Sequence, residues 1–264
     1  MKRMFTQLSA AALIAFSASA VQAQLVPLVK QPHVANPQRV LFVGNSLLYY
    51  SGGLQTHTHR IAAAATPPID VRAGYQTINI TGASLEEFPI EYLVKPGNLR
   101  NKQAYQLVVL SPSSRDAMSA EGRATYRQKV IEFDNAIKPY GGRVALILNQ
   151  GQVPPGEYAN TDMDQRLEEM TISVGNEIGA LVIPLGTAFR EAYRQRPGIK
   201  LQVYDGYHAS VAGQYLAAAV VFNSLYGRTT QGNPYDYFGA LDKDTKEFVQ
   251  RVADETVGNF YARK

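Results

Sequence analysis

Short uninterrupted apolar runs, each followed by a stretch of helical periodicity, constrain this chain more than any other feature. Val40–Val43 is bounded by Gly44, and Gln106–Leu110, Val144–Leu148 and Leu181–Ile183 repeat the theme. A strand with one wet face alternates polar and apolar residues, so a continuous apolar run reads as a strand buried on both faces. The intervening segments have a different period. Leu54, Ile61 and Ala65 lie near helical spacing before Pro67-Pro68 ends the segment. Tyr126, Val130, Phe133 and Ile137 are in register within Glu121–Lys138, as are Leu167, Met170, Val174 and Ile178 within Asp162–Ile178. Thr187–Arg196 reads as a short helix. Ser210 caps a further helix bearing Val211, Tyr215, Ala218, Phe222 and Leu225, closed by Gly227, and Phe248, Val252 and Phe260 mark a last one. Ile69–Ile80 is expected as a strand with a break at Gly74, and Ser84-Leu85-Glu86-Glu87 has the form of a capping box opening a short helix. Strands alternating with helices imply right-handed crossovers and a parallel sheet covered on both faces, a three-layer α/β sandwich.

The ends of the chain and its charge narrow the setting. Lys2 and Arg3, the apolar stretch Ala10–Phe16 and the Val21-Gln22-Ala23 site read as a signal peptide over residues 1–23, with Ala18-Ser19-Ala20 as an alternative cleavage site. The remainder, residues 24–264, is expected to be a single domain. It begins with an extended lead-in, Gln24–Gln38, that holds Pro27, Pro32 and Pro37, and it contains no repeat, low-complexity segment or linker. A secreted or periplasmic protein without a membrane anchor follows. Cysteine is absent, which excludes disulfides, thiolate metal sites and a cysteine nucleophile. The net charge of +4 includes Lys2 and Arg3, and what remains is too small and dispersed to indicate nucleic acid.

Chemistry is suggested by two stretches about 160 residues apart. Arg39-Val40-Leu41-Phe42-Val43-Gly44-Asn45-Ser46-Leu47 delivers Ser46 at the C-terminal end of the first strand, where open α/β sheets bind ligands. The competing role for Ser46 is to cap the helix that follows. Asp205-Gly206-Tyr207-His208 supplies a base and a group to orient it, since a serine hydroxyl attacks a carbonyl only when a base takes its proton. Ser46, His208 and Asp205 are therefore candidates for nucleophile, base and orienting acid. Gly-x-Ser-x-Gly is absent, so this is not the nucleophile elbow of α/β-hydrolases. His57 and His59 sit two apart in a helical pattern, face different directions and are expected at the surface; His33 lies in the lead-in and is expected to be solvated.

Gly44-Asn45-Ser46-Leu47 near the start and Asp205-x-x-His208 near the end resemble the first and last blocks of the SGNH (GDSL-type) hydrolases, over roughly Arg39–Gly227. The resemblance implies a flavodoxin-like sheet of about five strands, ester hydrolysis through an acyl-enzyme, and no metal or organic cofactor. It also implies an oxyanion hole made by the backbone N–H of Ser46, the backbone N–H of Gly82 and a third donor. Asn45 stands where the family most often has Asp and is expected to serve the turn locally. The third block departs from the pattern. Where the family has Gly-x-Asn after its third strand, this chain has Ser111-Pro112-Ser113, so Ser113 takes the place of the asparagine. Ser114, Arg115 and Asn149 are the other polar residues that can be considered there. Tyr49 and Tyr50 beside the nucleophile suit either sugar stacking or core packing. The implied substrate is a small-molecule or glycan ester with a short acyl group such as acetyl. The alternatives are an O-acetyltransferase using the same triad, or a carbohydrate- or envelope-binding protein that kept the fold and lost efficient chemistry.

Overall fold

A computed structural model describes residues 25–263, and the expected signal peptide lies outside them. Five strands form the sheet: β1 (Val40–Gly44), β2 (Tyr75–Asn79), β3 (Leu107–Leu110), β4 (Arg143–Ile147) and β5 (Leu181–Ile183). All pairings are parallel and the order is β2-β1-β3-β4-β5, the flavodoxin-like arrangement. The apolar runs are strands for the reason anticipated. Along β1, Val40 and Phe42 enter one core while Leu41 and Val43 enter the other, because successive side chains point to opposite faces.

Helices cover both faces. Taken in chain order, they are α1 (Ser46–Tyr49), α2 (Leu54–Ala64), α3 (Ile90–Val94), α4 (Ala120–Ile137), α5 (Met163–Ile178), α6 (Leu185–Gln195), α7 (Val211–Tyr226) and α8 (Lys243–Phe260). The Val40/Phe42 face packs against α2, α6, α7 and α8, and the Leu41/Val43 face against α3, α4 and α5. This is the three-layer sandwich. Helix α7 is buried on every side from Gly213 to Tyr226, since α8 packs over the surface that α7 turns away from the sheet.

One expected strand is shorter than its pattern. Alternation from Ile69 to Ile80 suggested a broken strand, but only Tyr75–Asn79 joins the sheet. The Gly74 carbonyl accepts from the Val40 N–H, and a Cβ on Gly74 would stand 1.8 Å from the Gln38 carbonyl oxygen. The chain therefore enters the sheet only after this crossing, and Val71 is buried beside it as core. Leu201–Tyr204, expected to be extended, is a hairpin arm and not a sheet strand: its single bridge joins Gln202 to Ala209.

Candidate active site

The order of strands brings the C-terminal ends of β1 and β3 together at the point where the connections reverse direction, the usual ligand crevice of such sheets. Gly44 is needed there, because a Cβ would meet the Ser111 side chain at 2.8 Å and the Ser111 carbonyl at 2.9 Å. Immediately after it, Asn45 caps α1, accepting from the Leu47 N–H through Oδ1 while its Nδ2 donates to the Ala83 carbonyl. The capping role considered for Ser46 thus belongs to Asn45, whose side chain also reaches well beyond its own turn. This leaves the Ser46 hydroxyl free for another partner.

That partner is His208. Its Nε2 lies 2.7 Å from Ser46 Oγ, and its Nδ1 lies 2.7 Å from Asp205 Oδ2. Asp205 also accepts from the backbone N–H groups of Tyr207 and His208 through Oδ1. Burial pushes the Asp205 carboxyl up, but the hydrogen bonds from the His208 ring and these two N–H groups outweigh it and hold the group below its ordinary value. An ionised carboxylate can only accept, so Nδ1 carries the ring proton and Nε2 accepts from the Ser46 hydroxyl. The hairpin sets this geometry, with Val203 N–H donating to the His208 carbonyl and Ser210 N–H to that of Leu201. The structure thus joins Ser46, His208 and Asp205 in one hydrogen-bonded line.

Gly82 lies in the turn after β2 with φ of +73°, a conformation that disfavours other residues. Neither its N–H nor that of Ser46 has a partner among the described residues. Ser113 is buried and caps the 3₁₀ turn Ser114–Met118, its hydroxyl accepting from the Arg115 N–H. Its own N–H donates to Asp116, whose carboxylate also accepts from the Ser84 hydroxyl at 2.6 Å. Asp116 therefore ties the Gly82 turn to the Ser113 loop, as Asn45 ties it to the turn that carries Ser46. The Ser113-x-x-Asp116 spacing is a second capping box, and the spacing itself is the signal for it in the sequence.

Two alternatives for the third donor are removed. Asn149 Nδ2 donates to the Pro112 carbonyl and to Ser111, and the Ser114 hydroxyl donates to the Gln150 carbonyl. Arg115 is exposed. His33 is exposed as expected, whereas His57 and His59, expected at the surface, are both buried. Helix α2 lies against α7, and Tyr235 and Tyr237 of the loop after α7 pack on the His57 ring. Tyr49 is exposed, with its hydroxyl 3.0 Å from Thr81, but Tyr50 stacks on His208. Among the described residues, no three His, Asp or Glu side chains converge as a metal site requires, and no helix is long and apolar enough to cross a membrane.

No family model and no curated protein matches this chain. Solved structures do. A DUF4886 family protein from Bacteroides uniformis is 18% identical with a TM-score of 0.62, over 86% of this chain and 96% of that one. A proposed SGNH hydrolase from Slackia heliotrinireducens is 23% identical with a TM-score of 0.54, over 71% and 98%. An acetylxylan esterase from Geobacillus stearothermophilus is 15% identical with a TM-score of 0.54, over 74% and 99%. Catalytic mutants of that esterase replace a serine, an aspartate and, three positions after the aspartate, a histidine. At such identities the likeness concerns architecture, and the conclusion it supports is that this chain has the fold of the SGNH-type hydrolases.

Proposed function

We propose that this chain is an exported serine ester hydrolase acting through an acyl-enzyme, with short acyl esters of carbohydrates, O-acetyl groups above all, as its substrates. The observation that carries this reading is the Ser46–His208–Asp205 line. A non-catalytic binding protein has no physical need for a hydroxyl, an imidazole and a carboxylate in that order. Ser46 Oγ attacks the ester carbonyl carbon while His208 Nε2 takes its proton, and Asp205 holds the imidazolium that results. The carbonyl oxygen becomes an oxyanion facing the free N–H groups of Ser46 and Gly82, with the Ser113 hydroxyl as third donor. Collapse breaks the bond to the alcohol oxygen, which leaves with the proton from His208. Water activated by the same histidine then releases the acid and regenerates Ser46.

The acetyl preference is supported by the acetylxylan esterases among the solved structures of this fold, and the carbohydrate part of the reading by the exposed Tyr49 beside Ser46. A fluorophosphonate probe tests the reading: the adduct is expected on Ser46, and Ser46→Ala abolishes both labelling and p-nitrophenyl acetate turnover without unfolding. A folded wild type that neither labels nor turns over the ester identifies a binding protein. Acetyl appearing on an added sugar in place of free acetate identifies the acyltransferase.

A further inference from the structure

The segment that follows the nucleophile helix does more than connect it to α2. Tyr50–Gly52 forms a single 3₁₀ turn in which Ser51 has φ of +49°, a left-handed conformation uncommon for a residue with a side chain. Three contacts hold it in place. The Ser51 hydroxyl donates to the carbonyl of Ala209, the residue after His208, at 2.8 Å. The Ser51 carbonyl accepts from Nε2 of the buried His57 at 2.7 Å. The Tyr50 ring lies on the His208 ring with centroids 3.9 Å apart and planes 11° from parallel.

His57 is fixed in turn. Because Nε2 donates to a carbonyl, Nδ1 is the acceptor, and the Tyr235 hydroxyl donates to it at 3.1 Å. Burial lowers its basicity more than the Ser51 carbonyl raises it, which keeps the ring in this neutral form. Tyr237 packs against the ring at 4.5 Å between centroids. The Tyr207 ring also neighbours His208, with centroids 4.8 Å apart and planes tilted by 58°. A strained turn persists only where its surroundings over-determine it, and here two of the contacts reach the His208 loop while the third anchors the turn on His57.

We propose that the Tyr50–Gly52 turn, locked by His57, is a clamp that positions His208 over Ser46. Tyr50 and Ser51 are the positioning residues that touch the histidine loop, and His57 positions them. The proposal rests on the esterase reading of the same site. It gives the clamp two effects on one step. The flat contact and the Ala209 hydrogen bond hold Nε2 on the line to Ser46 Oγ before proton transfer. Once the Ser46 proton has moved to Nε2, the imidazolium lies against the face of a tyrosine, where a cation is attracted to the π-system. Both effects act on proton transfer and not on substrate capture, so the loss belongs in kcat.

Tyr50→Leu, which keeps bulk and removes the aromatic face, is expected to lower kcat for p-nitrophenyl acetate on the order of tenfold with KM unchanged. Tyr50→Phe, which keeps the face, is expected to recover most of that loss. His57→Gln is expected to lower kcat similarly, and Ser51→Gly removes the link to Ala209 without disturbing a buried site should His57→Gln fail to fold. The His208 ring protons, followed by NMR in histidine-labelled protein, report the stacking independently of activity. They are expected upfield in wild type and Tyr50→Phe, shielded by the ring, and shifted downfield in Tyr50→Leu. A Tyr50→Leu enzyme with unchanged kcat overturns the clamp, as does a loss confined to KM, which makes Tyr50 a substrate platform. Unchanged kcat in folded His57→Gln or Ser51→Gly removes those residues from it. A wild type with the upfield histidine signals but no ester turnover overturns the esterase reading instead.

Discussion

At the scale of single residues, the open corner of the site is Ser113. An asparagine amide is the longer donor, and a serine hydroxyl in its place has to be carried closer by its loop. Here the loop is tightly held, with the Ser113 N–H on Asp116 and its oxygen accepting from Arg115. The Ser113 hydroxyl also lies within hydrogen-bonding reach of the Tyr207 hydroxyl, so donating to an oxyanion requires its proton to turn from that partner. Removing one such donor costs ~10²–10³ in rate where it acts fully. Ser113→Ala is therefore expected to lower kcat at unchanged KM, with circular dichroism establishing that the fold is retained. Ser113→Asn is expected to raise kcat, up to ~10²-fold if the longer amide is accommodated. If neither substitution changes kcat, the hole is complete with two backbone donors.

At the scale of elements, Asp116 is the strap between two loops that come from different strands. Burial pushes its carboxyl up to about 6, against the opposing pull of hydrogen bonds from Ser84 and Ser113, while Glu86 nearby adds to the rise. The folded state thus holds this proton more tightly than the unfolded chain, where a carboxyl titrates near ~3.9. Between those two values the folded protein binds more protons, so the contribution of this group to stability declines as pH climbs through the window from ~4 to about 6. Asp116→Asn has no such ionisation. Urea unfolding at pH 4, 5, 6 and 7 is expected to show wild type losing stability relative to the variant across that window and holding a constant difference above it. A difference that stays the same at all four values would exclude Asp116 as a group titrating there.

At the scale of the whole molecule, α7 carries the stability argument. It is enclosed by the sheet, α2, α6 and α8, and Phe222 in its C-terminal half has no exposed surface. Phe222→Ala leaves a cavity with no mobile surface to collapse into it, and the expected loss is about 3–5 kcal/mol. In a chain of this size that corresponds to a fall in Tm of roughly 10 °C, measurable by calorimetry. A fall of only a degree or two would mean that α8 closes over the gap. Because the N-terminus of α7 follows His208 by three residues, loosening this helix also reaches the site.

Two kinds of information were separable in this chain. The strands, the three layers and the Asp205–His208 pair were legible because each depends on local spacing: apolar runs bury on both faces, and an Asp-x-x-His pair needs only one turn to meet. Even the partnership of Ser46 with His208, 162 positions apart, followed from chemistry that requires a base near a nucleophile. The settings of His57 and Tyr50 were not legible, nor was the reach of Asp116 to Ser84. Histidines two apart on a helix look solvated unless another element covers them, and what covers α2 is set by the course of the chain after α7. Tyr50 reads equally as core or as sugar platform until the hairpin brings His208 onto its ring. Asp116 joins its two loops only because the β2-β1-β3 order sets their ends on either side of β1. Local sequence determined which residues form the hydrogen-bonded line of Ser46, His208 and Asp205. The packing of distant segments decided what holds that line in place, since such contacts depend on the order of strands and carry no periodicity of their own.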